Sequence, residues 1–142
     1  MKKSILIKLA VLLIVLLLAV MFIRSLAEGF RDPVVSMDGY ALNIQSQSDG
    51  ITVMRFDINS VRLVNEIPPL TRGDGFGFGN VQRGNVKVSN LGEGFAYVDI
   101  SAGPFIYLEL NGAVGNFVFI NLSNESDTRL LYEDIQAWLQ NT

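Results

Sequence analysis

The sequence predicts a mainly-β domain, preceded by one apolar helix and closed by one amphipathic helix. Three observations carry this. The N-terminus holds 15 consecutive apolar residues, Leu9 to Ile23. The middle alternates apolar and polar residues in short runs separated by Gly, Pro, Asn and Asp. The C-terminus places Leu131, Ile135, Trp138 and Leu139 at helical spacing. A length of 142 residues suits one domain plus an appendage.

The apolar run extends back through Ile5 to Ile7 across Lys8. The 19 residues from Ile5 to Ile23 span about 28 Å as a helix, enough for a hydrocarbon core, with Lys8 able to snorkel to the headgroups. Residues 1–24 are therefore expected to be a transmembrane anchor, 25–33 a linker and 34–142 the domain. A cleaved signal peptide is the competing reading: Lys2 and Lys3 form a basic start, and Ser25-Leu26-Ala27 offers small residues for cleavage. The lysines favour a cytoplasmic N-terminus, hence a single-pass protein of the cell membrane with an extracytoplasmic domain.

The chain has no cysteine and no histidine. Disulfides, thiolate catalysis and Cys-based zinc sites are excluded, and the usual general base is missing. No metal or cofactor site is expected, and no enzyme. From Arg24 onward there are 8 basic and 14 acidic residues, a net of -6. Such an acidic domain is a poor partner for nucleic acid.

Val34 to Met37 and Tyr40 to Gln45 flank Asp38-Gly39, a hairpin signal. Ser48-Asp49-Gly50 reads as the next turn, before a strand from Ile51 to Phe56. Ser60 to Val64 reads as another strand, stopped by Pro68-Pro69. Leu70 to Gly84 is a glycine-rich loop, and Asn85 to Asn90 resumes strand character. Phe95 to Ile100, Phe105 to Leu110 and Phe117 to Leu122 each read Phe, apolar, aromatic or Phe, aliphatic, polar, aliphatic. Their connections are short enough for antiparallel hairpins. About seven antiparallel strands result. Asn124 to Asp127 supplies N-cap candidates for the final helix.

About seven strands followed by one amphipathic helix resembles the pleckstrin-homology fold. The run Phe56-Asp57-Ile58-Asn59-Ser60-Val61, then Pro68-Pro69-Leu70-Thr71-Arg72, then the Gly/Phe-rich stretch, is similar to the bacterial pleckstrin-homology-like domains. The resemblance covers about residues 34–140. It implies a partly open barrel or sandwich capped by the helix, and implies little about function. Relatives that bind inositol phosphates carry clustered Lys/Arg near the first turn. Here no Lys or Arg lies between Val34 and Gly50, so phosphoinositide binding is not expected.

Two candidate surfaces emerge. If the aliphatic face of the late strands forms the core, Phe95, Tyr97, Phe105, Tyr107, Phe117 and Phe119 form an exposed aromatic face, an interface for a protein partner or a second copy. If strand pairing keeps parity these rings align; a connection one residue different breaks the alignment. The second surface is the glycine-rich loop, with Arg72, Phe76 and Phe78 as anchors. It could hold a peptide, glycan or small molecule. It lacks the lysine and following helix of a phosphate-binding loop. Asp99 and Glu109 would be neighbours only if their two strands pair in register. Asn121-Leu122-Ser123 and Asn124-Glu125-Ser126 match glycosylation triplets but fit helix-entry polarity better. The expected function is a membrane-tethered interaction module or scaffold.

Overall fold

In a computed structural model, the residues described are 2–47 and 49–141. The turn expected at Ser48-Asp49-Gly50 includes Ser48, which lies outside them. The chain divides between Phe30 and Arg31 into two units.

The first unit is helix α1, Lys2–Gly29. It continues through five residues of the expected linker. Its 28 residues span about 42 Å, and every side chain from Ile5 to Ile23 is exposed. A helix that is apolar on all sides needs a nonaqueous surrounding. This one is long and apolar enough to cross a membrane.

The second unit is mainly β, as expected, with nine strands in two sheets and one C-terminal helix. A three-stranded antiparallel sheet contains β1 (Val34–Met37), β2 (Ala41–Gln45) and β3 (Gly50–Met54). A short 3-10 turn, Arg55–Asp57, then leads into β4 (Ile58–Val64). The larger sheet adds β5 (Thr71–Phe78), β6 (Val81–Val88), β7 (Gly92–Asp99), β8 (Phe105–Leu110) and β9 (Phe117–Ile120). Its order is β4-β8-β9-β7-β6-β5. Helix α2, Glu125–Gln140, starts at Asn124, whose side chain accepts the Ser126 N–H.

One inserted strand reorganises the expected meander. β9 lies between β7 and β8, parallel to β7 and antiparallel to β8. The β7–β8 connection is therefore no hairpin. Its exposed backbone groups are satisfied by Asn121, which is buried: its amide accepts from the Asp99 N–H and donates to the Asp99 and Ala102 carbonyls. The polarity at this glycosylation-like triplet is structural. Asp99 and Glu109 are not neighbours, because β9 separates their strands; Asp99 binds Ser101 and Glu109 binds Ser60.

The insertion also decides which faces the rings share. Phe95 and Tyr97 pair with Val118 and Ile120, whereas Tyr107 pairs with Phe119. The aromatics thus divide between two faces. Tyr97 and half-buried Phe95 join Ile106, Leu108, Val118 and Ile120 on the inner face, under Leu42, Ile44 and Val53 of the small sheet and Ile135 of α2. Phe105, Tyr107, Phe117 and Phe119 join Val86, Val88, Ala96 and Val98 on the outer face.

That outer face is covered by the chain itself. β4 and β5 are the two edges of the six-stranded sheet, so Asn65–Leu70 must cross five strand spacings, about 24 Å if the sheet were flat. The seven residue steps from Val64 to Thr71 reach about 24 Å when fully extended. The strap is short for that crossing, and Pro68-Pro69 favours an extended path. Ile67 and Leu70 from this strap pack on the aromatic face together with Val64, the last residue of β4, and Leu91.

Candidate functional site

The expected exposed aromatic face is overturned. Phe105 is 2% and Tyr107 8% exposed, and Tyr97, Phe117 and Phe119 are likewise buried. The Tyr107 and Phe119 rings lie 5.0 Å apart, and Phe117 and Phe119 5.3 Å apart. These are tilted core packings worth about 1 kcal/mol beyond their buried area. The physical reason is the strap: an antiparallel-rich sheet exposes one face only when nothing crosses it.

The glycine-rich loop is also corrected. Residues 71–78 and 81–88 form a hairpin of β5 and β6, with Gly79-Asn80 at its tip. The glycines answer crowding. Gly75 has φ +114°, and a Cβ there would collide with the Arg83 carbonyl oxygen. At Gly77 the Arg72 side chain occupies the place of a Cβ, and its guanidinium donates to the Gly77 carbonyl at 2.7 Å. Arg72 therefore folds back on its own strand. Phe76 is half-buried and Phe78 exposed, on an edge strand.

The structure brings forward a different pair of rings. Tyr40 and Phe56 are 78% and 77% exposed. They line a shallow cleft of about 560 Å³ with Gly39, Arg55, Ile58, Asn59 and Leu139. Tyr40 follows the first hairpin turn. There the Asp38 carboxylate accepts the Tyr40 and Ala41 N–H groups, both at 2.8 Å. These two bonds hold the Asp38 carboxyl below its ordinary value. Phe56 is the middle residue of the 3-10 turn that ends β3. Its neighbour Asp57 is buried and accepts from the Asn111 amide at 2.9 Å, which anchors the turn from below.

Arg55 ties this surface to α2. Its guanidinium donates to the carbonyls of Trp138 and Asn141 and lies 5.1 Å from the Trp138 ring centre. It supplies the cation that the last turn of α2 lacks. Both exposed rings thus stand on turns fixed by side-chain bonds.

Sequence reasoning missed this pair. Tyr40 counted as the first residue of a strand and Phe56 as the last of one. The available signal was position alone: Tyr40 directly follows the Asp38-Gly39 turn dipeptide.

A second unexpected group is Arg83, 2% exposed within β6. It donates at 3.4 Å to the carbonyls of Gln82 and Arg31. Its Nε and the Tyr97 hydroxyl, in register across the β6–β7 pair, have no hydrogen-bond partner. Burial pushes the Arg83 pKa down, with Asp32 and Asp99 opposing it. Burial, then Asp49, pushes the Tyr97 hydroxyl up. Asp32 accepts from the Ser123 N–H at 2.9 Å and from its hydroxyl at 2.8 Å, and Pro33 is buried. The last residues of the expected linker are therefore docked on the domain. Among the described residues, no cluster of acidic side chains suits a metal ion.

No protein-family model matches the sequence, and no curated protein or solved structure matches it.

Proposed function

We propose that this chain is a membrane-tethered protein-binding module whose contact surface is the Tyr40–Phe56 cleft. The observation that carries the reading is two large exposed rings lining one open, mostly apolar cleft, each held on a side-chain-braced turn. Exposed apolar surface of this kind marks interaction sites, and tyrosine-type anchors on rigid turns bind at low entropic cost. A shallow cleft suits an apolar side chain of a partner protein better than an enclosed small molecule. α1 anchors the module in the cell membrane, and the lysines near its start orient the domain to the extracytoplasmic side. Confinement to the membrane plane raises the effective concentration of a weak contact. Kinship with bacterial pleckstrin-homology-like domains is part of this proposal, supported by two sheets closed by a C-terminal helix. Photo-cross-linking from positions 40 and 56 of the full chain in its membrane tests it.

A further inference from the structure

The inner face of the six-stranded sheet changes character along β6. On β7, Tyr97 and Phe95 continue the apolar core toward Glu93. Their partners on β6 are Arg83, Asn85 and Lys87, all polar. The core residues of the three-stranded sheet pack near Tyr97, and a cleft of about 330 Å³ opens around Phe95. Asn85, Glu93, Phe95, Val114 and Asn116 line it, together with Gly94, Gly112 and Gly115.

The three glycines leave backbone on the wall where side chains would fill the space. Gly112, at φ +93°, turns the β8–β9 loop, and Gly94 lies against the Phe117 ring and carbonyl. Asn116 holds the wall in place. Its amide donates to the Leu91 carbonyl at 2.8 Å, and its N–H donates to the Glu93 carbonyl at 2.9 Å. Asn85 packs against Gly73 of β5, and among the described residues neither its amide nor the Glu93 carboxylate makes a side-chain hydrogen bond or ion pair, while both line the cleft.

We infer that this cleft is a binding site for a neutral, hydroxyl-rich ligand of the size of a sugar ring. The chemistry selects that class. The amide offers donors and an acceptor, the carboxylate offers acceptors only, and a hydroxyl can satisfy either. The half-buried Phe95 ring gives a flat apolar surface for the C–H face of such a ring. Glu93 repels an anionic ligand. An apolar ligand would strip water from Asn85 and Glu93 without replacing their bonds. The volume lies at the lower end of small-molecule sites. The site is separate from the Tyr40–Phe56 cleft, with no lining residue in common.

The test is saturation-transfer NMR on the full chain in lipid nanodiscs, with methyl glucoside, methyl N-acetylglucosaminide and methyl glucuronide as probes. Transfer to the ring protons of at least one neutral glycoside is expected, and none to the glucuronide. Val114→Trp, which fills the mouth from an exposed position, should abolish the transfer. Glu93→Gln should weaken binding about tenfold, as loss of a charged hydrogen-bond acceptor does. No transfer to either neutral probe, equal transfer to the glucuronide, or transfer unchanged by both substitutions in folded protein would overturn the assignment.

Discussion

The indole Nε1 of Trp138 donates a 2.6 Å hydrogen bond to the carbonyl of Asp38, 100 residues earlier in the chain. This bond clamps the end of α2 to the first hairpin turn, whose next residues carry Tyr40. The Arg55 guanidinium over the other side of the contact brings the turn carrying Phe56 to the same indole. One tryptophan therefore braces both exposed rings.

Trp138→Phe keeps a ring but removes the donor and weakens the cation–π contact. Stability should fall by about 1–2 kcal/mol. Denaturant unfolding of the full chain in detergent, followed by circular dichroism, reads this directly. An unchanged midpoint would show that the clamp does not hold.

Arg55→Met keeps most of the side-chain stem and removes the guanidinium that serves the α2 carbonyls. A loss of about 1–2 kcal/mol is expected. Hydrogen exchange should quicken at the Asn141 N–H, which closes the helix on Ala137, while the N-terminal turn at Asn124 stays protected. Uniform quickening along α2 would argue against local capping.

Gly75→Ala and Gly39→Ala should differ sharply. Gly75 combines a positive φ with a Cβ that would strike the Arg83 carbonyl, so the change should cost about 3 kcal/mol or more. Gly39 has open space around it, and its replacement should stay within about 0.5 kcal/mol. Thermal unfolding of the two variants side by side checks the contrast.

Phe105→Asp should unfold the domain, with a loss above about 4 kcal/mol, because it buries an unpaired carboxylate under the strap. Tyr40→Asp, on an exposed ring, should change stability by less than about 0.5 kcal/mol. A folded Phe105→Asp protein would return the outer aromatic face to the surface.

Asp38 predicts a pH response. Its carboxyl is held low by the Tyr40 N–H first and the Ala41 N–H second. A depressed folded value means the contribution is present above the unfolded value of about 3.9 and is lost as pH falls below it. Exchange of the Tyr40 amide, corrected for intrinsic rate, should stay slow down to about pH 3.9 and quicken only as pH falls below it. Asp38→Asn should remove that dependence.

Much of this fold was legible because strands and turns are written locally. Asp38-Gly39 marks the first hairpin, Phe105–Leu110 was read to its bounds, and Asn124 was among the expected caps. Pairing order was not legible. Placing β9 between β7 and β8 depends on Asn121 meeting the Asp99 and Ala102 backbone, a contact about 20 residues distant that leaves no period in the sequence. The same insertion shifted Phe95 and Tyr97 to the face opposite Phe105 and Tyr107, so the apparent aromatic row dissolved. Glycines 73, 75 and 77 suggested a loop; their cause is tight packing against Asn85, Arg83 and Arg72, visible only in three dimensions. The Tyr40–Phe56 surface joins two turns 16 residues apart through α2, beyond the reach of local pattern.

The measurement that bears most directly on the central claim uses a photo-reactive phenylalanine analogue at position 40, 56 or 130 of the full chain in its native membrane. Leu130 is an exposed residue of α2 outside the cleft and serves as the comparison. The account predicts a discrete adduct of the same mass from positions 40 and 56 and none from 130; an adduct of twice the chain mass would identify the partner as a second copy. No adduct from 40 or 56, or an equal yield from all three positions, would contradict a protein-binding role for this surface.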